Sequence, residues 1–143
     1  MGIGYDVHEL GEGRALVLGG IRLDHPRGLS GHSDADVLTH AVIDAMLGAA
    51  CLGDIGMHFP ASDPAYAGIS SLELLTRAAA KVTEAGYLVL NIDSVLIAQQ
   101  PRLGPHLPAM AAALAGAIGL DPAQVSAKAT SPEGLGTLGR GEG

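Results

Sequence analysis

The chain has to build its core almost without aromatic side chains. Its 143 residues hold one Phe, three Tyr and no Trp, yet hydrophobic residues make up 48% of the total. Ala, Val, Leu and Ile must therefore fill the interior, and short aliphatic side chains fill space only where backbone elements pack closely. Charged residues are 16%, and that balance marks a folding sequence, not a disordered one. The length fits one domain and leaves no room for two independent cores, so residues 1–143 are read as a single domain.

Residues 1–8 alternate, with Ile3, Tyr5 and Val7 on one side and Gly4, Asp6 and His8 on the other, the period of a strand. A second short strand is expected at Ala15–Leu18, joined through Gly11-Glu12-Gly13, with a loop at Gly28–Gly31. Ser33 reads as the N-cap of a strong helix with Asp34 and Asp36 in its first turn. Its apolar face would hold Val37, Leu38, Ala41, Val42, Ala45, Met46 and Ala49, and Gly53 would end it. Residues 54–69, with two Pro and two Gly, read as a long irregular loop, and loops of that length are commonly functional. A helix over Ser71–Ala85, a strand over Leu88–Ala98, an Ala-rich helix over Leu107–Ala117, a strand over Val125–Thr130 and a Gly-rich tail complete the pattern. Strands and helices mixed this way predict an α+β domain, a two-layer α/β sandwich with helices on one face of a small mixed sheet.

Eight Lys and Arg against fifteen Asp and Glu leave a net charge of −7, with no basic run. That argues against a nucleic-acid backbone as partner. An anionic substrate would need metal ions or backbone amides to offset the charge. Cys51 is the sole cysteine, which excludes an intrachain disulfide or a Cys-based zinc ribbon, and its apolar neighbours predict a buried packing residue. No cationic segment followed by an apolar core stands at the N-terminus, and the longest apolar stretch, Leu107–Leu120, falls short of the roughly 20 residues of a membrane span. These features predict a soluble protein of a reducing compartment, the cytoplasm.

Three residues carry the first chemical signal. In a strand, Asp6 and His8 project from one face, and either a surface strand or a ligand pair would look this way. His40 lies one helical turn after Asp36 and one before Asp44, a spacing that also suits a solvated ion-paired stripe. Together Asp6, His8 and His40 supply one oxygen and two nitrogens, a set suited to zinc with the fourth tetrahedral position left open. His32 and Ser33 stand where a helix start would favour an anion, though Ser33 could serve only as a cap. Gly53-Asp54-Ile55-Gly56 could be no more than a helix stop and a turn. Ser131-Pro132-Glu133 looks locally like a helix start, but the glycines that follow fit better a loop presenting amides to a phosphate, with Glu133 offered to a hard cation.

Read together, Gly4-Tyr5-Asp6-Val7-His8, His32 to Val37, His40, Leu47 to Ala50, Leu52 to Gly56, Phe59-Pro60, Lys128-Ala129-Thr130 and Gly139 to Gly143 resemble the 2-C-methyl-D-erythritol 2,4-cyclodiphosphate synthase family of the non-mevalonate isoprenoid pathway. The resemblance runs in order and spacing along essentially the whole chain, and stops at Gly143 before one more apolar strand of the family pattern. It implies a homotrimer with active sites between subunits, a cytidyl diphosphate substrate, and an internal attack of a phosphate that expels CMP. By position it implies zinc at Asp6, His8 and His40, and Mg²⁺ or Mn²⁺ at Glu133. His32 and Ser131 would stabilise the transition state. Ser33, Asp54, Ile55, Gly56, Phe59 and Asp63 would line the methylerythritol side. Ala98, Arg102, Leu103 and Gly104, with Thr130, Ser131, Pro132 and Glu133, would hold the cytidine and its phosphates. Arg140 would meet an anion at the trimer axis or the substrate diphosphate. His25, His58 and His106 are read as structural or solvent-exposed.

Phosphoryl transfer of this kind needs in-line positioning and charge neutralisation more than covalent help, and two metals would supply the positive charge an acidic chain lacks. Two other readings compete: a zinc-dependent phosphodiester hydrolase using metal-bound water, and a non-catalytic trimeric protein whose zinc is structural.

Overall fold

The computed structural model describes residues 1–143. Four three-residue strands come first: β1 (Leu10–Glu12), β2 (Leu16–Leu18), β3 (Ile21–Leu23) and β4 (Arg27–Leu29). They are followed by helix α1 (Val37–Ala49), the one-turn helix α2 (Ile55–His58), α3 (Ser71–Glu84), β5 (Ile92–Ile97), α4 (Leu107–Ile118), β6 (Val125–Thr130) and a short α5 (Gly136–Gly139). In place of one mixed sheet the strands form three separate pairs. β1 and β4 are antiparallel, as are β2 and β3, and β5 and β6 are parallel with Ile92 opposite Val125 and Ile97 opposite Thr130.

The β2–β3 hairpin closes through Gly19 and Gly20, both at positive φ, the conformation a two-residue hairpin loop favours. Their amides donate to the two oxygens of Asp36, at 2.9 and 2.6 Å, while Thr39 gives the same carboxylate its amide and its hydroxyl. Asp36 rather than Ser33 is therefore the N-cap of α1, and the helix begins three residues later than a Ser33 cap would place it. Ala35, fully buried at φ 59, makes the turn that separates Ser33 from the helix. Burial pushes the Asp36 carboxyl above its ordinary pKa, opposed by the Thr39 and glycine hydrogen bonds.

α1 buries Leu38, Thr39, Val42, Ile43, Met46 and Leu47 against α3, which presents Leu74, Leu75, Ala78 and Val82. The buried stripe of α1 is thus rotated away from the Ala41–Ala45 side that hydropathy favours, because a different segment occupies that side. α4 adds Met110, Leu114 and Ala115 and packs on β6. Truncating a fully buried Leu such as Leu75 to Ala in such a core costs about 2–5 kcal/mol. The helices stop where glycine can turn left-handed, at Gly86 after α3 and at Gly119 after α4.

Other expectations shift in detail. α1 ends at Ala49 with Ala50 as cap, so Cys51 falls outside the core, exposed and at φ 58. The stretch 54–69 carries α2 and a 3₁₀ turn at Pro64–Tyr66, each nucleated by an aspartate cap, Asp54 and Asp63. Arg27–Leu29 is a strand, not a loop, because it finds β1 as its partner. β5 starts at Ile92, so Leu88 and Leu90 lie outside it and exposed. Residues 1–8 keep their two-residue alternation of exposure but belong to no strand ladder, and Ile3, Tyr5 and Val7 face solvent. No helix is long and apolar enough to cross a membrane.

Candidate metal centre and active site

The site is assembled by glycines. A Cβ on Gly2 would stand 1.9 Å from the Ala45 carbonyl oxygen, and one on Gly4 1.9 Å from that of Ala41. Only glycine lets an extended segment lie so close on a helix. The next residues of the same alternation, Asp6 and His8, then reach the α1 surface at His40. Gly31 completes the fit, since a Cβ there would come within 2.8 Å of the His8 ring.

Asp6 Oδ2 lies 3.0 Å from His8 Nε2 and 3.0 Å from His40 Nδ1. Its other oxygen accepts the Val7 amide at 2.8 Å, which fixes the carboxylate. His8 Nδ1 donates to the Ser30 carbonyl; a carbonyl only accepts, so the neutral ring turns a lone pair on Nε2 toward Asp6. His40 Nε2 faces two hydroxyls, Ser71 Oγ at 2.9 Å and Ser33 Oγ at 3.1 Å, leaving Nδ1 toward Asp6. Acceptors converge on one point with no donor among them unless the rings are protonated. A divalent cation satisfies all three at once. One donor atom from each residue lies within 4.8 Å of the others, and Asp6, His8 and His40 form the only group of three or more His, Cys, Asp or Glu residues placed this way. The side chains are 26%, 19% and 12% exposed, so the cluster is seated in the protein yet open to a ligand.

Without an ion the same contacts act on proton affinities. Burial alone would push the Asp6 carboxyl up, but hydrogen bonds and charge from His40 and His8 hold it well below the usual carboxylate range. The hydrogen bond to Asp6 raises the His8 pKa, against the opposing effect of burial.

One turn beyond His40, Asp44 Oδ1 accepts the Ile55 amide at 2.8 Å. Helix α1 thereby ties the metal cluster to the Asp54-Ile55-Gly56 segment, which is not a mere stop but the start of α2, with Asp54 accepting the Met57 amide at 2.9 Å. Asp63 is occupied as a cap, accepting the Ala65 amide at 2.9 Å. Phe59 is buried edge-on against Tyr66, so it supports this wall from beneath. His32 is exposed at the loop before α1, its carbonyl accepting the Gly68 amide at 2.9 Å.

Ala98, Arg102, Leu103, Gly104, Thr130 and Ser131 line one cavity of about 610 Å³, together with Gln99, Gln100, Pro101, Leu107, Ala129 and His25. That volume lies in the range of small-molecule sites. Pro132 is half-buried at its edge of the chain. Glu133 sits at φ 54 in a turn whose amide donates to Ser131 Oγ at 2.9 Å, and it joins no three-residue metal cluster within the chain. Arg140 is exposed and engaged by Glu142 at 2.5 Å.

His25, read as structural or solvent-exposed, is a half-buried ring at the cavity wall. Sequence reading missed Ser71 and the role of Asp34. Ser71 is fully buried at the start of α3, and its hydroxyl donates to Asp34. A serine opening a helix is the one signal it offered, and that signal equally describes a cap.

A profile of the YgbB family matches residues 1–143. The 2-C-methyl-D-erythritol 2,4-cyclodiphosphate synthase of Desulfatibacillum aliphaticivorans is 54% identical over 143 residues, covering 100% of this chain and 92% of that protein. Among solved structures, the bifunctional IspDF from Campylobacter jejuni matches with a TM-score of 0.94 at 45% identity, over 99% of this chain and 38% of that longer one. A CDP-bound 2C-methyl-D-erythritol-2,4-cyclodiphosphate synthase matches with a TM-score of 0.87 at 39% identity, over 94% of this chain and 89% of that one. Matched in profile along its whole length and in backbone to solved synthases, the chain belongs to the YgbB family.

Proposed function

We propose that this chain, a single cyclodiphosphate synthase domain, converts 4-diphosphocytidyl-2-C-methyl-D-erythritol 2-phosphate to 2-C-methyl-D-erythritol 2,4-cyclodiphosphate and CMP. The observation that carries the reading is the convergence of Asp6, His8 and His40 on one point, in a chain whose relatives bear that enzyme's name. An oxygen of the substrate's 2-phosphate attacks the β-phosphorus, one P–O bond forms, and the bond to the bridging oxygen breaks so that CMP leaves with it. The nucleophile is already an anion, so the protein needs no serine or cysteine paired with a base.

Asp6, His8 and His40 hold zinc, and Glu133 holds Mg²⁺ or Mn²⁺. When bound, these ions supply Lewis-acid neutralisation of the diphosphate oxygens. His32 and Ser131 offer donors to the charge that develops on the transferring phosphoryl group. Ser33, Asp54, Ile55, Gly56 and Asp63 form the methylerythritol side, with Phe59 behind them. The cavity at Ala98, Arg102, Leu103, Gly104, Thr130 and Ser131 takes the cytidine, with Pro132 and Glu133 at the phosphates. Arg140 serves an anion near the assembly axis once released from Glu142.

The assembly is a homotrimer with sites between subunits. Two features support this: Glu133 lacks cluster partners within its own chain, and Val95 and Ile97 stand exposed on the outer side of β5, an apolar face suited to burial against another copy. A reducing, cytoplasmic setting accords with the lone free thiol of Cys51. Nothing in the relatives' names supports a phosphodiester hydrolase or a non-catalytic zinc protein. Incubation with the cytidyl substrate and Mg²⁺ tests the proposal: CMP and a cyclic diphosphate should appear one for one. A linear diphosphate carrying oxygen from solvent would contradict it.

A further inference from the structure

Two serines stand at His40 Nε2, and they are not equivalent. Ser71 Oγ is 2.9 Å from that nitrogen, and its hydroxyl donates to Asp34 Oδ1. The other Asp34 oxygen accepts the Ser71 amide at 2.9 Å, so the carboxylate grips both ends of this residue. A hydroxyl has one proton. With it committed to the carboxylate, Ser71 can only accept from His40, which puts the ring hydrogen on Nε2 and the lone pair on Nδ1, the side that faces Asp6. Ser33 Oγ, 3.1 Å from the same nitrogen, accepts the Ala35 amide and has no carboxylate behind it. Ser33 Oγ also lies 3.5 Å from Ser71 Oγ, and with the Ser71 proton committed to Asp34 the Ser33 hydroxyl is the donor of that pair.

The pair is also built into the fold. The Asp34 amide donates to the Ile69 carbonyl at 3.1 Å and the Gly68 amide to the His32 carbonyl at 2.9 Å, so two loops are laced together where α1 and α3 begin. Ser71 is fully buried there, shielded from the water that would otherwise compete for the imidazole.

We infer that Asp34 and Ser71 are positioning residues of the metal centre: they lock His40 in the Nε2–H tautomer, so that it binds metal through Nδ1 while His8 binds through Nε2. The inference rests on the zinc reading of Asp6, His8 and His40. Such hydrogen-bond partners of a ligating imidazole typically contribute about 10- to 100-fold in metal affinity.

Zinc affinity, measured by competition with a chelator, and the melting temperature of the metal-free protein should be recorded together for wild type, Ser71→Ala and Ser71→Thr. Ser71→Ala is expected to bind zinc about 10- to 100-fold more weakly, and Ser71→Thr, which keeps the hydroxyl, to recover most of that loss. Nitrogen–proton correlation NMR on zinc-loaded wild type should show His40 coordinated through Nδ1 with hydrogen on Nε2. Wild-type affinity in Ser71→Ala, or coordination through Nε2, overturns the inference. The NMR result decides even if both variants fail to fold. A wild-type chain that takes up no zinc overturns the metal reading itself and this inference with it, whereas zinc uptake unchanged by Ser71→Ala overturns the inference alone.

Discussion

Asp6 Oδ2 is equidistant, at 3.0 Å, from Nε2 of His8 and Nδ1 of His40. Two imidazoles with different nitrogens turned inward share one carboxylate oxygen, and each outward nitrogen is engaged, one by the Ser30 carbonyl and one by the Ser71 hydroxyl. An arrangement with acceptors pointed at one another is stable only with protons or a cation between them. Metal binding and protonation are therefore alternatives at the same point.

That competition has a sign. The His8 pKa is raised in the metal-free fold, chiefly by its hydrogen bond to Asp6. A raised histidine contributes stability that is fully present below its unfolded pKa of about 6.5 and is lost as pH climbs through the folded value. Metal-stripped wild type should therefore lose melting temperature relative to His8→Gln as pH rises above about 6.5. The zinc-bound form should gain over the same interval, because fewer protons compete for the ligands. Thermal melts of both forms across that range check both slopes.

Gly4→Ala should damage the site before it damages the core. The added methyl meets the Ala41 carbonyl at 1.9 Å, so the N-terminal segment must lift from α1 and carry Asp6 and His8 away from His40. A loss of about 1–3 kcal/mol is expected from such overpacking, with zinc uptake reduced far more than helix content. Zinc analysis alongside circular dichroism separates the two.

Asp36→Ala should be among the most destabilising single changes at the surface of the core. It removes the α1 cap and strands the Gly19 and Gly20 amides together with the Thr39 hydroxyl. A lost cap and an unpaired buried donor each cost about 1–2 kcal/mol, so a total near ~3 kcal/mol is expected. Denaturant unfolding measures it directly. Asp36→Asn keeps an acceptor oxygen and should lose less.

Asp44→Ala releases the Ile55 amide while leaving every metal-cluster hydrogen bond in place. It should raise the KM for the cytidyl substrate several-fold with zinc affinity unchanged. Steady-state kinetics and zinc competition on one preparation check the split; an equal loss in both would place Asp44 with the metal centre instead of with α2.

The candidate metal-binding group of Asp6, His8 and His40 was legible because its spacing and chemistry are local: two residues apart in an extended segment, and one histidine on a helix. β6 and α3 were readable for the same reason, their periods being strong and their ends marked by Pro or Gly. What stayed hidden depends on contacts between distant segments. The α1 cap could not be assigned to Asp36 because its partners, Gly19 and Gly20, lie in a hairpin seventeen and sixteen residues away. Apolar neighbours predict a buried Cys51, yet a left-handed turn, not hydropathy, sets its exposure. A single sheet was expected from alternation alone, yet alternation says nothing of which strands find partners. Ser71 carries no motif; only the fold brings it behind His40.

The most direct measurement of the central claim pairs zinc content with CMP release on the same samples of wild type, Asp6→Ala, His8→Ala and His40→Ala. One zinc per chain with stoichiometric CMP and cyclic diphosphate is the result predicted for wild type, with both quantities lost together in each variant. A variant devoid of zinc that releases CMP and closes the ring at the wild-type rate would contradict the account.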